Sequence, residues 1–294
     1  MKSYSEKQAQ IDFRRLQTIK GYPELWARTL AEWHSSGPDD RAWLMYSANY
    51  LLRTGKVRWA LDPVRFPHYL PEAPNIDMAQ DLRDLSFVLL THRHDDHLDL
   101  GLIRALRTLS IVWIVPQDIL SVVTEIVSPR GKIIVPKMMV PIEIEGIKIW
   151  PFEGMHWEVA TNKVEGSQPE DLRGVPATSY LVEFSGKRWL FPGDVRTYDA
   201  RTLPVFGKID GLFAHLWLGR GSALIDPPPL LESFCRFCLE TRARRVVLTH
   251  LEEFGRMADN YWDTNHLLQV LFRFREIAPW LPVTPLFMGE SIDL

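Results

Sequence analysis

The sequence predicts an α/β (α+β) fold built as a four-layer αββα sandwich, with a helical extension at the N-terminus. Strand hairpins are followed by alternating strands and helices, and this series occurs twice, which is typical of two sheets packed face to face with helices outside. The chain has 294 residues, 46% of them hydrophobic, so it is long enough to bury a full core without disulfides. We expect the extension to span residues 1–40 and one large domain to span residues 41–294.

Composition and charge exclude several classes of protein. Lys and Arg total 34 and Asp and Glu total 37, so the net charge is −3 and the basic excess of a dedicated nucleic-acid-binding domain is missing. The N-terminal segment is charged throughout, unlike a secretory signal, and no run approaches the ~20 apolar residues of a membrane span. We therefore expect a soluble cytoplasmic protein that acts on a small molecule, as a monomer or a homo-oligomer.

The first half of the chain predicts one long helix and then the first strand–helix series. Apolar residues recur every three or four positions over the first ~35 residues, which indicates a helix, and its Trp26 and Trp33 are expected in the core. Gly37 and the three residues after it break this pattern. The elements predicted next are strands at 43–52 and 57–61, a buried strand at 85–90, a helix at 98–109, a strand at 111–115 and a helix at 118–127.

The second half predicts hairpins before the strand–helix alternation returns. Isoleucines alternate around Glu145-Gly146, and a second pair of strands turns at Ser185-Gly186, both of which are hairpin signatures. The elements predicted are strands at 142–144 and 147–149, strands at 178–184 and 187–191, a strand at 211–217, a helix at 230–242, a strand at 245–248 and a helix at 261–277.

A histidine-rich segment directly after the strand at 85–90 carries the strongest chemical signal. Three of the nine histidines of the chain and two aspartates fall within six residues there, in the run His92-Arg93-His94-Asp95-Asp96-His97. In extended chain the rings of His92 and His94 project to the same side, and Asp96 and His97 follow where the chain must turn into a helix. Imidazole nitrogens and carboxylate oxygens suit a divalent transition metal.

Three later strands each end in a residue that is able to bind metal. His156 follows the second isoleucine strand, Asp194 follows Leu190-Phe191-Pro192-Gly193, and His250 closes Val246-Val247-Leu248-Thr249. The carboxyl ends of strands are where α/β sheets place their ligands. Each residue alone would be an ordinary turn residue, but together with the histidine-rich segment they predict a metal site.

This ordered pattern, His-x-His-x-Asp-His and then a lone His, a Gly-Asp and a Thr-His, resembles the metallo-β-lactamase superfamily. The resemblance runs from Asp62 to His250, and its nearest branch contains ascorbate-6-phosphate lactonase and N-acyl-phosphatidylethanolamine phospholipase D. It implies a hydrolase domain with two divalent metal ions, zinc first and manganese or iron as alternatives. The implied ligands are His92, His94 and His156 for one ion, Asp96, His97 and His250 for the other, Asp194 as the bridge, and Asp62 as the residue that orients the site from behind.

Hydrolysis is the reaction that such a pair of ions favours. Two ions about 3.5–4 Å apart would activate a shared water, and the resemblance gives Asp96 the catalytic role of orienting it. A small phosphoester or a lactone is the first expectation for the substrate. The alternatives are a phosphodiester of RNA or of a cyclic nucleotide, and a catalytically idle metal-binding scaffold.

Other polar residues near the expected ligands carry weaker signals. Four of them are candidates for substrate binding, and for each an ordinary structural role is the alternative: Arg196, Tyr198, His215 and Arg220. Cys235 and Cys238 form a Cys-x-x-Cys pair with no second pair to complete a zinc ribbon, so we expect buried thiols. Three histidines without partners at metal spacing are expected at the surface: His34, His68 and His266.

Overall fold

The computed structural model describes residues 3–37, 39–127, 131–157 and 174–294. Its contacts divide the chain into two compact units. We call residues 14–140 with 286–294 the N-sheet unit, and residues 1–13 with 141–285 the C-sheet unit. Each unit contains one seven-stranded sheet and its own helices, so the chain carries the two sheets that the sequence predicts.

The N-sheet unit has the strand order β14-β1-β2-β3-β4-β5-β6. Its strands are β1 (Arg41–Leu44), β2 (Tyr50–Thr54), β3 (Val57–Leu61), β4 (Phe87–Leu89), β5 (Val112–Ile114), β6 (Lys132–Ile134) and β14 (Ser291–Asp293). Its helices are most of α1 (Tyr4–His34), then α2 (Phe66–Tyr69), α3 (Met78–Asp81), α4 (Leu100–Leu106) and α5 (Leu120–Thr124).

The C-sheet unit has the order β13-β12-β11-β10-β9-β8-β7. Its strands are β7 (Ile142–Ile144), β8 (Ile147–Glu153), β9 (Thr178–Phe184), β10 (Lys187–Phe191), β11 (Gly211–His215), β12 (Val246–Thr249) and β13 (Val283–Pro285). Its longer helices are α6 (Leu231–Glu240) and α7 (Thr264–Ile277).

Both sheets change from antiparallel to parallel pairing part-way across. In the N-sheet unit, β1, β2 and β3 pair antiparallel, and β3 to β6 pair parallel. In the C-sheet unit, β7 to β10 are antiparallel and β10 to β13 are parallel. This is the predicted series of hairpins followed by strand–helix alternation. The parallel part matters for the site, because neighbouring parallel strands bring their carboxyl ends to one edge of the sheet.

Helix α1 is anchored at both ends by buried contacts. Trp26 and Trp33 lie in the core of the N-sheet unit, as expected, and the Trp33 indole donates to the carbonyl of Leu52 at 3.2 Å. In the C-sheet unit, the buried ammonium of Lys7 donates to the carbonyls of Ala223 (2.6 Å) and Tyr261 (2.9 Å). Burial lowers the pKa of Lys7. The boundary predicted at residue 40 between extension and domain stays a prediction.

The strand predicted at 43–52 is wrong in one respect. The structure has two antiparallel strands there, β1 and β2, joined by a turn in which the amide of Met45 donates to the carbonyl of Asn49 at 2.7 Å. Every residue of this turn is buried, so its apolar pattern did not distinguish it from a continuous strand.

One histidine predicted at the surface is buried instead. His266 is 5% exposed, because it lies at the start of α7, where its Nδ1 lies 2.8 Å from Oδ1 of Asp263. His34 and His68 are half-buried, and His34 contacts Asp84 at 3.0 Å. Cys235 and Cys238 are buried free thiols, as expected, and burial raises the pKa of Cys235 to about 12.

Candidate metal centre

In the N-sheet unit, Asp62 is hydrogen-bonded to the histidine-rich segment and to the residue before it. It follows β3 directly, is fully buried and has a positive φ of 44°. Its carboxylate accepts hydrogen bonds from the amide of Thr91 (2.8 Å), the hydroxyl of Thr91 (2.5 Å) and Nδ1 of His97 (2.7 Å). The proton of His97 is thereby fixed on Nδ1, which leaves the lone pair of Nε2 for a metal.

The surroundings of the Asp62 carboxyl act on its pKa in opposite directions. Burial is the larger influence and raises the pKa, while the hydrogen bonds from His97 and Thr91 lower it. A cation on the far side of the His97 ring would favour the ionised carboxylate further, since an opposite charge stabilises the charged form.

His92 is oriented by the same network. The Thr91 hydroxyl gives its proton to Asp62, so its oxygen accepts from Nδ1 of His92 at 2.9 Å. The lone pair of His92 Nε2 then faces Nδ1 of His94, 3.1 Å away. The ligand atoms of Asp62, His92 and His97 lie within 4.8 Å of one another. Imidazole nitrogens of His92, His94 and His97 are therefore gathered in the loop that follows β4.

Asp96 and Asp99 complete this loop. Asp96 is 7% exposed, and its Oδ2 lies 3.8 Å from Nε2 of His97. Asp99 begins α4 by accepting from the amides of Gly101 (2.9 Å) and Leu102 (3.0 Å). The same carboxylate binds the Arg65 guanidinium through two nitrogens, at 2.8 and 2.9 Å. Burial alone would raise the pKa of Asp99, but the hydrogen bonds from Arg65 lower it.

In the C-sheet unit, Asp194 occupies the corresponding place after β10. It is 7% exposed. Its Oδ2 lies 3.7 Å from Nε2 of His156, and its Oδ1, which also bonds His215, lies 3.6 Å from Nε2 of His250. Nδ1 of His250 lies 3.3 Å from the carbonyl of Leu216, which directs its Nε2 towards the carboxylate. The other two predicted ligands of this unit, His156 and His250, therefore lie around the Asp194 carboxyl group.

These separations fit a shared ion rather than direct hydrogen bonds. Distances of 3.6 and 3.7 Å exceed those of N–H···O bonds. A tetrahedral zinc ion with bonds of about 2.0–2.1 Å holds its donor atoms roughly 3.4 Å apart. Two imidazoles at this distance from two different oxygens suit a carboxylate that bridges two ions. The residues present in each unit therefore fit the metals that the resemblance implies.

The residues predicted as weak substrate contacts lie in different surroundings. Nδ1 of His215 bonds Asp194 at 2.9 Å, and its ring stacks on His250 with centroids 5.4 Å apart. The hydroxyl of Tyr198 donates to the carbonyl of Trp217 at 2.5 Å, and burial raises its pKa well above the usual value. Arg196 is 6% exposed, with its guanidinium 4.7 Å from the centroid of the Trp217 ring.

Two further residues lie in loops. Arg220 is the fourth predicted substrate contact, and Glu253 is a carboxylate that sequence analysis did not identify. Arg220 is half-buried in a loop between two glycines of positive φ. Glu253 is 4% exposed, with Oε1 3.1 Å from Nε2 of His250 and Oε2 accepting from Arg256 at 2.6 Å. It lies in an irregular loop, where spacing carries no signal, so only the folded structure brings it to His250.

Comparison with known families agrees with this arrangement. A family described as a beta-lactamase superfamily domain matches residues 61–251, which contain all seven predicted ligands. The chain belongs to this family. No curated protein gives a match. Among the described helices, none is long and apolar enough to cross a membrane.

Several solved structures share the fold of this chain. Igni18, a metallo hydrolase from the archaeon Ignicoccus hospitalis, is 17% identical over 87% of this chain and 98% of its own, with a TM-score of 0.56. A possible metal-dependent hydrolase from Veillonella parvula is 16% identical, with coverages of 88% and 100% and a TM-score of 0.62. The metallo-beta-lactamase fold protein YhfI from Bacillus subtilis is 15% identical, with coverages of 87% and 100% and a TM-score of 0.59. The predicted fold class is confirmed.

Proposed function

We propose that this β-lactamase superfamily protein is a metal-dependent hydrolase that uses two divalent metal ions to activate water against a small phosphoester or lactone. The proposed ligands are the ones that the family resemblance implies. They are His92, His94 and His156 for the first ion, Asp96, His97 and His250 for the second, and Asp194 as the bridge between the two.

The observation that carries the proposal is the setting of Asp194. Its two oxygens face His156 and His250 at 3.7 and 3.6 Å, which suits a carboxylate that holds one ion on each oxygen. In the N-sheet unit, Asp62 and His97 form a hydrogen bond of 2.7 Å. A carboxylate that bonds the second ring nitrogen in this way commonly orients metal-binding histidines in proteins. Each unit supplies donors that are prepared for a metal.

The residues of the chain then have separable roles in the reaction. Two bound ions would supply Lewis acidity and lower the pKa of water from 15.7 towards about 7. Asp96 accepts a hydrogen bond or a proton from the attacking water and so sets its direction. Asp62 keeps His97 in the tautomer whose Nε2 lone pair binds metal.

The substrate class is inferred from charge and from the family branch. Arg196 is a buried cation only two residues beyond Asp194, and a forked guanidinium suits an anionic oxygen of phosphate or carboxylate. The branch that the sequence resembles handles lactones and phosphodiesters. Zinc is the metal that we propose first, while manganese and iron also accept histidine and carboxylate ligands.

Hydrolysis of bis(p-nitrophenyl) phosphate and of a panel of lactones by metal-loaded protein tests this function. The variant Asp194→Ala is compared with the matched control Asp199→Ala, since Asp199 pairs at the surface with Arg201. We expect turnover in the wild type and in the control, and loss of turnover in Asp194→Ala. Phosphodiester turnover would make RNA ends and cyclic nucleotides the next substrates. Metal-loaded wild type that cleaves neither class would contradict the proposal and favour the scaffold alternative.

A further inference from the structure

A buried asparagine joins two loops of the candidate metal centre in the N-sheet unit. Asn49 lies at the end of the turn between β1 and β2 and is fully buried. Its side-chain nitrogen donates one hydrogen bond to the carbonyl of Asp62 and another to the carbonyl of Asp96, both at 2.7 Å. These acceptors are 13 and 47 positions away in the sequence, so one amide group links three separate segments.

Both hydrogen-bond donors of this side chain are directed at the two loops. An asparagine amide has two N–H donors, and one serves each acidic residue. The amide oxygen of Asn49 accepts from the backbone of Ser47 at 3.3 Å, which fixes the orientation of the carboxamide. Buried carbonyls require partners, and here the Asn49 side chain is a partner of both carbonyls.

The hydrogen bond from Asn49 holds the backbone of Asp62 in an unusual conformation. Its φ of 44° lies in the left-handed region, which a residue with a Cβ atom keeps only where its surroundings hold it. The Asp62 carboxylate in turn orients His97 through the 2.7 Å hydrogen bond. A shift of the Asp62 backbone would therefore move the acceptor that fixes the His97 ring.

We propose that Asn49 is a positioning residue for the metal centre. Its carboxamide holds the backbones of Asp62 and Asp96 together, so that Asp96 and His97 present their donor atoms to the same ion. The inference rests on the proposed function, because it concerns the second of the two ions. Asn49 precedes the residues 61–251 that the family match covers, and the match therefore assigns it no role.

The affinity of each metal equivalent, measured by competition with a chromophoric chelator, tests this role. Cobalt absorption spectra give a second readout of ligand geometry. We expect Asn49→Ala to bind the second equivalent about 10–100-fold more weakly, the effect that loss of an orienting partner has on metal sites, and to keep the first equivalent. Asn49→Ser, with one shorter donor, is expected to fall between Asn49→Ala and the wild type.

Thr54→Val is the matched control. The Thr54 hydroxyl accepts from the Trp59 indole at 3.0 Å in a buried contact between β2 and β3 of the same sheet. Its loss is expected to lower the Tm without changing either metal affinity. The affinities are measured below the Tm of each variant, and if Asn49→Ala does not fold, Asn49→Ser is compared with the control instead.

Two outcomes separate this inference from the proposed function. Two tight equivalents in the wild type and equally tight binding of both in the Asn49 variants would overturn the positioning role and leave the dinuclear hydrolase intact. Fewer than two equivalents in the wild type would contradict the proposed function itself, whatever the variants do.

Discussion

Asp62 illustrates how a single buried carboxylate prepares several residues at once. It accepts three hydrogen bonds from Thr91 and His97, and through Thr91 it also determines the tautomer of His92. The sequence indicated Asp62 only through the family resemblance, at the end of a strand. The network behind it depends on side-chain positions that a sequence pattern does not record.

We expect Asp62→Asn to weaken metal binding about 10–100-fold. The amide has the same size as the carboxylate but lacks its negative charge, so it accepts a weaker hydrogen bond from His97. Chelator competition at neutral pH measures the change. Asp77→Asn, at an exposed cap of α3, is the control and is expected to bind like the wild type. Equal affinity in Asp62→Asn and the wild type would show that Asp62 does not orient the centre.

The residues that sequence analysis identified and those that it missed differ in a physical way. His92, His97, Asp194 and His250 follow apolar strands, and that position makes them recognisable. Asn49 and Glu253 act through contacts that exist only after folding. Asn49, for example, bonds a carbonyl 47 positions away, and no local periodicity predicts such a contact.

At the scale of elements, the short helix α4 depends on Asp99 for its start. Asp99 both caps the helix and binds Arg65 through two nitrogens, so it ties the loop after β3 to the helix after β4. The sequence predicted this helix as 98–109, and the structure has Leu100–Leu106. The difference arises because the cap, and not the apolar pattern, decides where the helix begins.

Asp99→Asn is expected to lower the free energy of unfolding by about 1–3 kcal/mol, because the amide keeps the cap but loses the charge that Arg65 requires. Urea denaturation measures this change. Asp77→Asn serves again as the control and should stay within about 0.5 kcal/mol of the wild type. Unchanged stability in Asp99→Asn would mean that the Arg65 contact contributes nothing.

The start of α7 carries an acid-sensitive contact in the C-sheet unit. Burial alone would raise the pKa of Asp263, but the hydrogen bond from His266, with its charge and that of Lys7, lowers it to about 2. A lowered pKa contributes stability above the ordinary value near 3.8 that is lost as the pH falls towards about 2.

We therefore expect metal-free wild type to lose stability relative to metal-free Asp263→Asn as the pH falls from about 4 to about 2. Thermal unfolding at a series of pH values measures it. A difference that does not change below pH 4 would show that Asp263 is not held ionised by the fold.

The elements that sequence analysis missed are short. Strands β6, β13 and β14 have three residues each and lie at or next to sheet edges, and three residues are too few to establish an alternating pattern. The long elements, including α1 and the hairpin of β9 and β10, were predicted correctly because periodicity over many residues is a strong signal.

At the scale of the whole molecule, the chain uses one construction twice. Each sheet begins with antiparallel hairpins and continues with parallel strands. The proposed ligands other than His156 follow strands that have a parallel neighbour, whereas His156 follows the antiparallel strand β8. The repetition was visible in the sequence as two successive series of hairpins and strand–helix alternation. It is the reason that the fold class was predictable from the chain alone.

The metal content of purified protein tests the central claim most directly. Wild type, Asp194→Ala and Asp199→Ala are reconstituted with zinc, freed of excess metal by gel filtration and analysed by inductively coupled plasma mass spectrometry. We expect two equivalents for the wild type and for Asp199→Ala, as a two-ion site requires, and fewer for Asp194→Ala. Wild type without bound metal, or Asp194→Ala that keeps both equivalents, would contradict it.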